Sequence, residues 1–200
     1  SITANANTRQ ILDNSKGTLS VGQLDVALSG LSNRDGVMIQ TGAGDTNIAL
    51  KSPGALLDNT RGRIAVNSHS LNIAASSVTN TQGRIEHAGS GDLSLQAAVL
   101  HDEQGTLISN GAVHIVADAM QHDGAVTSAN RLNVDVNLLS NHAGQLVQTG
   151  TGDAVFTVQQ RLDNAAGEIS SNGTLSLQAG SIDNTKGRIT SAAAASIASK

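Results

Sequence analysis

Four aspartates stand at one place in a short phrase that recurs along this sequence. Each follows a large apolar residue and precedes an asparagine, and they are Asp13, Asp58, Asp163 and Asp183. Carboxylates aligned on one face suggest glycoside hydrolysis, but that chemistry needs two carboxylates opposed across a substrate in different environments. These aspartates recur in only some copies, and the chain has no Trp or Tyr to hold a sugar. We predict that they close turns and that the chain is not an enzyme.

Two histidines offer a candidate metal site. His122 and His142 each stand two residues before a glycine of the repeat, so regular stacking would place them about 5 Å apart. A zinc site needs further ligands, and the equivalent positions in the adjoining copies are Glu103 and Ala165. Two interpretations stay open: a weak zinc or acid-sensing site, and two surface histidines at a variable turn position. We favour the second and predict no metal and no cofactor.

Three segments have the pattern Gly-x-Gly-Asp, at residues 42–45, 89–92 and 150–153. Calcium-binding β-rolls need such glycine-aspartate turns in immediate tandem, so that neighbouring turns share each ion. Here dozens of residues separate the copies. We expect plain glycine turns closed by the aspartate, which enlarge one corner of the fold.

Arginine follows the repeat glycine at Arg63, Arg84 and Arg188, which indicates a solvated charged stripe or a contact for an anionic glycan. The net charge of −4 is spread evenly, without a Lys/Arg cluster or interleaved aromatic residues. Nucleic acid is therefore an unsuitable partner. No apolar run is long enough to cross a bilayer, so we predict no membrane insertion.

The elements that must position these residues follow from the repeat itself. Its phrase occurs nine times, as in LDNTRGRI from Leu57 and LDNAAGEI from Leu162, and its glycines are 19, 26, 21, 22, 19, 20, 23 and 20 residues apart. These anchors are Gly17, Gly36, Gly62, Gly83, Gly105, Gly124, Gly144, Gly167 and Gly187. A period near twenty residues indicates a solenoid whose units stack on one another.

Within each copy the apolar residues alternate with polar ones, which is typical of short β-strands. In the eighth copy the inward set is Ile169, Ser171, Leu175, Leu177, Ala179 and Ile182. We predict an all-β fold, a parallel β-solenoid of about nine coils, with three short strands and about 20 residues per coil. Parallel stacking of these coils gives a rod of roughly 40 Å.

The corner chemistry supports the same fold. We expect the anchor glycines to adopt positive φ, and the asparagines three residues earlier to close the turn and stack as a hydrogen-bonded ladder. These are Asn14, Asn33, Asn59, Asn80, Asn141, Asn164 and Asn184. The fifth copy has Asp102 instead. The sixth copy, MQHDG, is one residue short when Gly124 is its anchor, and we expect weaker order from Met120 to Gly124.

The chain is interpreted as one repeat segment, residues 1–200, with a less regular alanine-rich end at about 192–200. It begins SITANANT rather than with Met, so we interpret it as a piece of a longer protein.

The run LDNAAGEISSNGTLSLQAGSIDNTKGRITS, together with LDNTRGRIAVNSHSLNIAA, resembles the repeats of filamentous haemagglutinin and of CdiA-type contact-dependent inhibition proteins. The resemblance spans the chain, apart from the short sixth copy, the insertion at Pro53 and the end from Ala192 to Ala195. It implies a right-handed parallel β-helix in a very large exoprotein. Such proteins leave Gram-negative bacteria through an outer-membrane transporter by two-partner secretion and are secreted to the cell surface.

On this resemblance the leading hypothesis is a structural and adhesive shaft that projects a distal region toward a host-cell glycan or a receptor on another bacterium. The alternative is the stalk of a contact-dependent inhibition protein that delivers a toxin. A polysaccharide-active β-helix enzyme is a third hypothesis, which release of reducing sugar would test.

Overall fold

The computed structural model describes residues 2–3 and 10–199, and all regular structure in these ranges is β-strand. The described part of the chain includes no helix that could span a membrane. Its strands are β1 (Ile2–Thr3), β2 (Ile11–Asp13), β3 (Thr18–Val21), β4 (Asp25–Leu28), β5 (Gly30–Ser32), β6 (Val37–Gln40), β7 (Thr46–Leu50), β8 (Leu56–Asp58), β9 (Arg63–Val66), β10 (Leu71–Ala74), β11 (Ser77–Thr79), β12 (Arg84–His87), β13 (Leu93–His101), β14 (Thr106–Gln121), β15 (Val126–Ser140), β16 (Gln145–Gln148), β17 (Ala154–Asp163), β18 (Glu168–Ser171), β19 (Leu175–Asp183), β20 (Arg188–Ser191) and β21 (Ala195–Ser199).

Strands one coil apart pair in parallel and form three columns. The first column follows the repeat glycine and begins β3, β6, β9, β12. The second begins β1, β4, β7, β10, and the third begins β2, β5, β8, β11. The predicted β-solenoid of about nine coils with three strand segments per coil is confirmed.

Some strands continue around a corner instead of stopping at it. β14 and β15 each run through all three columns, with a register shift between Ser109 and Ala112 where the pair bends. Hydrogen bonding is thus nearly continuous around coils five and six.

The core is a thin column of inward side chains. The inward set predicted for the eighth copy is confirmed: Ile169, Leu175 and Leu177 are at most 1% exposed, and Ile182 is partly buried against the core. Phe156 is 2% exposed inside the same column. Each such aliphatic residue contributes about 1.5–3 kcal/mol by burial, and that burial requires a neighbouring coil.

The expected positive φ at the repeat glycines is wrong for the eight turns built like Asn14–Gly17. The residue before the glycine adopts it instead, with φ of 53° to 59°, and these residues are Lys16, Asp35, Arg61, Gln82, Gln104, Ala143, Ala166 and Lys186. The left-handed position is thus filled by residues that carry a strain a glycine would not have.

The glycines are needed for close approach. A Cβ at Gly17 would lie 2.7 Å from Oδ1 of Asn14 in its own turn. At Gly62 and Gly167 a Cβ would also collide with the carbonyl oxygen of the asparagine in the preceding coil. The backbone of one turn therefore rests directly on the turn below it.

The sixth copy is not one residue short, which corrects both its anchor and the expectation of weak order there. Val126 is in register with Thr106 and Gln145, so Ala125 occupies the glycine place. Gly124 is the left-handed residue, with φ of 65°. The turn keeps its hydrogen bonds, including Ala125 N to His122 O at 3.2 Å, and His122 fills the asparagine place.

Candidate functional site

A column of side-chain amides, buried except at its two ends, runs along the corner between the third and first columns of strands. In coils one to four each asparagine Nδ2 donates to Oδ1 of the next residue in the ladder, at 2.6–2.7 Å, from Asn14 to Asp102. In coils seven to nine the same bonds join Asn141, Asn164 and Asn184 at 2.6 Å.

Each ladder amide also holds backbone oxygens. Nδ2 of Asn33 donates to Oδ1 of Asn59 at 2.7 Å, and lies 3.3 Å from Gly36 O and 3.1 Å from Arg63 O. Asn33 and Asn59 are 0% exposed. Since the bonds reach the coil above, the ladder joins coils as well as closing turns.

Coils five and six break this ladder with Asp102 and His122, both 0% exposed. Nδ1 of His122 lies 2.8 Å from Oδ1 of Asn141, and Nε2 lies 2.9 Å from Thr127 Oγ1 and 3.6 Å from Asp102 Oδ2. Burial raises the pKa of Asp102 to about 8 and lowers the pKa of His122 to about 4. This pair was not predicted from the sequence, because the sixth copy was aligned on Gly124.

The predicted pairing of His122 with His142 is wrong. His122 is inside the ladder, whereas His142 is exposed at the following turn position, where its backbone N donates to Asp123 Oδ1 at 3.0 Å. Glu103 accepts a hydrogen bond from Thr81 Oγ1 at 3.0 Å. Among the described residues no group of three or more His, Cys, Asp and Glu could hold a metal ion.

The four recurring aspartates accept hydrogen bonds from the backbone two residues on, at 2.9–3.1 Å. Hydrogen bonds from Ser15 and Thr185 lower the pKa of Asp13 and Asp183. Burial works to raise the pKa of Asp58, but hydrogen bonds from Thr60 and Arg34 outweigh it and lower that pKa. These carboxylates serve as turn caps.

The corner between the first and second columns of strands contains buried polar side chains that the repeat pattern did not predict. Oε1 of Gln148 accepts from Leu132 N at 3.0 Å, and its Nε2 donates to Gly150 O at 3.2 Å and Gly152 O at 2.6 Å. Gln40 makes the equivalent bonds at the first of the three Gly-x-Gly-Asp segments. The signal was the repeated QTGxGD, with glutamine at an inward position two residues before the first glycine.

His87 is the third residue of this kind, 1% exposed in the segment HAGSGD. Its Nε2 lies 3.1 Å from the backbone oxygens of Ser68 and His69, and its Nδ1 lies 2.9 Å from Ser109 Oγ. The histidine thus satisfies backbone oxygens in the corner of the preceding coil, on which the glycine turn rests.

The aspartates of the Gly-x-Gly-Asp segments bind the next coil. Oδ1 of Asp45 accepts from Ser70 N at 3.1 Å, and Oδ1 of Asp153 accepts from Thr174 Oγ1 at 2.5 Å. These corners lie between the first and second columns of strands.

Two of the three arginines after the repeat glycine form ion pairs at the surface. Arg63 and Arg84 are in register and both contact Glu86, at 2.6 Å each. Arg188 is in register with Glu168. Exposed pairs of this kind contribute little stability.

A shallow groove of about 750 Å³ runs beside the insertion at Pro53. The insertion turns back at Gly54, with φ of 71°, and Ala55 O accepts from Ser77 N at 3.0 Å. The groove crosses several coils, and its lining includes Gln96, Ala98 and Asn137. It is an open, mostly small-residue and polar surface.

Models of the haemagglutinin repeat match the chain at residues 1–49, 39–91, 87–120, 115–166 and 157–200. The chain is also similar to Toxin CdiA of Yersinia pestis, with 28% identity over 200 residues. That alignment covers 94% of this chain and 6% of the toxin, so the chain spans a small part of this relative. No solved structure matches.

Proposed function

The chain belongs to the haemagglutinin-repeat family, and we propose that it is a segment of the shaft of a large secreted bacterial surface filament. In this proposal the parent protein passes through an outer-membrane transporter by two-partner secretion, and the shaft projects a distal binding region toward host cells or other bacteria. The role is mechanical rather than enzymatic.

The observation that carries this proposal is the continuity of the three columns of parallel strands. Each coil bonds the next along all three faces, and the side-chain ladder follows the same axis. A rod with hydrogen bonds along its axis resists bending and holds its ends at a fixed separation, as a shaft must.

Deleting one coil tests the shaft role in the parent protein. Removing residues 142–164 takes out one repeat of 23 residues and joins Asn141 to Ala165 with the ladder in register. We expect a rod shorter by about 4.8 Å that still displays the distal region to an antibody on intact cells.

The matched control removes residues 142–152, about half a coil. This deletion shifts the residues after it out of register, so that side chains of the core face would point outward. This variant should lose display of the distal region. Equal loss in both variants would count against a purely mechanical shaft, because only the second disrupts stacking.

An adhesive role is the second candidate, and the groove beside Pro53 favours it. We expect saturable binding of the folded segment to epithelial cells, sulfated glycans or sibling bacteria, lost on Ala98→Glu in the groove. Ser170→Glu adds the same charge on the first column, away from the groove lining, and should leave binding intact. Binding absent from all three targets would leave the segment a spacer.

The similarity to Toxin CdiA supports a related alternative, in which the shaft is the stalk of a contact-dependent inhibition protein. Growth competition between cells that carry the parent protein and target cells would separate the two. Inhibition that survives the in-register coil deletion would assign the segment to a toxin-delivery stalk.

A further inference from the structure

From coil five to coil six the ladder passes from Asp102 to His122, and neither side chain is an amide. The hydrogen that Nδ2 donates at the steps that start from an asparagine must therefore come from another group here. Oδ1 of Asp102 accepts from Asn80 Nδ2 at 2.6 Å and lies against Gly105, as each asparagine Oδ1 lies against its own glycine. Oδ2 of Asp102 therefore occupies the place of the amide nitrogen. Among the described residues this buried oxygen has no hydrogen-bond partner.

The contacts of His122 determine which of its ring nitrogens carries a hydrogen. Oδ1 of Asn141 is an acceptor, because Nδ2 of that amide donates to Asn164, so Nδ1 of His122 must carry a hydrogen. A neutral His122 then presents the lone pair of Nε2 toward Thr127 Oγ1 and Asp102 Oδ2. If Asp102 were ionised, its Oδ2 would also present a lone pair, so two acceptors would face each other without a hydrogen between them.

We propose that Asp102 and His122 together hold one proton, which replaces the missing amide hydrogen and makes this step of the ladder a pH-sensitive joint between coils five and six. The proton lies on Oδ2 facing Nε2, or on Nε2 facing an ionised Oδ2. Either arrangement places a donor opposite an acceptor, and the pair titrates as one unit.

The surroundings retain one proton on the pair at neutral pH. Burial is the main cause both of the raised pKa of Asp102 and of the lowered pKa of His122. The titratable groups around the pair are Glu103 and Asp123 in the same turns, with His142 in the turn above and His101 in the preceding strand. Glu103 further raises the pKa of Asp102, and Asp123 works to raise that of His122.

The effect of pH on folding follows from counting protons in the two states. In the unfolded chain Asp102 and His122 titrate near 3.8 and 6.5, and in the folded chain near 8 and 4. Between about pH 4 and 6.5 each state holds one proton, so the pair contributes no pH dependence. From about pH 6.5 to 8 only the folded pair holds it, so the folding equilibrium constant falls about tenfold per pH unit.

Urea unfolding of the whole chain between pH 5 and 9 tests this, with Asp102→Asn as the main variant. The wild type should lose stability as pH rises from 6.5 to 8. Asp102→Asn supplies the amide hydrogen, so this alkaline loss should disappear. It should instead lose stability as pH falls below 6.5, because only the unfolded His122 then binds a proton.

Glu103→Gln is the matched control, since it removes a neighbouring carboxylate outside the ladder. The alkaline loss should remain but end at a slightly lower pH, because burial is the larger cause of the raised pKa of Asp102 and Glu103 adds to it. The double variant Asp102→Asn/His122→Asn restores the amide sequence and should remove both dependences. A difference between wild type and Asp102→Asn that is constant from pH 6.5 to 8 would overturn the proposal.

A measurement on the unmodified chain keeps the proposal testable if a variant does not fold. The ¹³C shift of the Asp102 carboxyl should stay in its protonated range through neutral pH, or the His122 ring nitrogens should show a doubly protonated ring. A carboxyl that ionises near pH 4 beside a neutral His122 ring contradicts a shared proton.

Discussion

The left-handed residue and the glycine of each turn are two neighbouring positions with opposite requirements. At Ala166 the backbone has φ of 54°, and the side chain is exposed. At Gly167 a Cβ would meet the carbonyl oxygen of Asn141. The first position tolerates a side chain at a cost in strain, whereas the second excludes it by contact.

This distinction predicts opposite outcomes for two adjacent substitutions. Ala166→Gly should raise the free energy of unfolding by about 0.5–1 kcal/mol, because glycine adopts positive φ without strain. Gly167→Ala should lower it by about 1–3 kcal/mol, because the methyl group must push two coils apart. Urea unfolding measures both, and Ala165→Gly, at an ordinary φ, should bring no gain. A stable Gly167→Ala variant would mean that the turns are not in direct contact.

At this scale the sequence predicts the role of a turn position when the same residue type recurs there, and does not predict it when the residue type varies. The asparagine and glycine places were visible as a pattern, whereas the left-handed place carries Lys, Asp, Arg, Gln or Ala and left no signal. The Asp102–His122 pair was concealed because Ala125 stands where glycine was expected. An alignment anchored on the strands rather than on glycine would have brought the two together.

The strand β16 shows how one element serves the core and the corner at once. Its two glutamines stand at opposite ends: Gln145 is exposed, and Gln148 is 1% exposed with bonds to Leu132 N and to the backbone of the glycine corner. A buried amide of this kind supplies hydrogen bonds to buried backbone groups that would otherwise be without partners.

We predict that Gln148→Ala lowers the free energy of unfolding by about 2–3 kcal/mol, since it leaves buried backbone groups without partners. Hydrogen exchange should quicken at Leu132 and across residues 149–153. Gln145→Ala, in the same strand, should change stability by less than about 0.5 kcal/mol. Similar losses in both variants would mean that strand propensity matters here rather than the buried amide.

At the scale of elements, alternation predicted the inward residues well because an inward Leu or Ile is buried wherever the coil stacks. It did not predict that β14 and β15 continue around the corners, since alternation within a strand does not show whether the strand ends at its corner. Inward polar residues such as His87 and Gln40 look like breaks in the pattern. They are places where the corner requires a hydrogen-bonding side chain.

Among residues 10–199, strand pairing joins each coil to the coils on either side of it, so stability is distributed along the rod. Strand pairings join neighbours throughout, as from β16 to β18 and from β18 to β20. The free energy of unfolding should therefore be close to a sum of coil and interface contributions. The repeat period alone predicted this architecture, since a unit of about twenty residues cannot bury its own apolar face.

This additivity predicts the outcome of serial truncation. Chains that end at Ala179, Val158 or Val136 each stop at the end of a second-column segment and differ by about one coil. Each step should lower the free energy of unfolding and the denaturant m-value by similar amounts, because each removes one interface and a similar buried area. Circular dichroism during urea unfolding measures both quantities. If removing the residues after Ala179 abolished all structure, the coils would have to depend on a shared core, which contacts between neighbours alone do not provide.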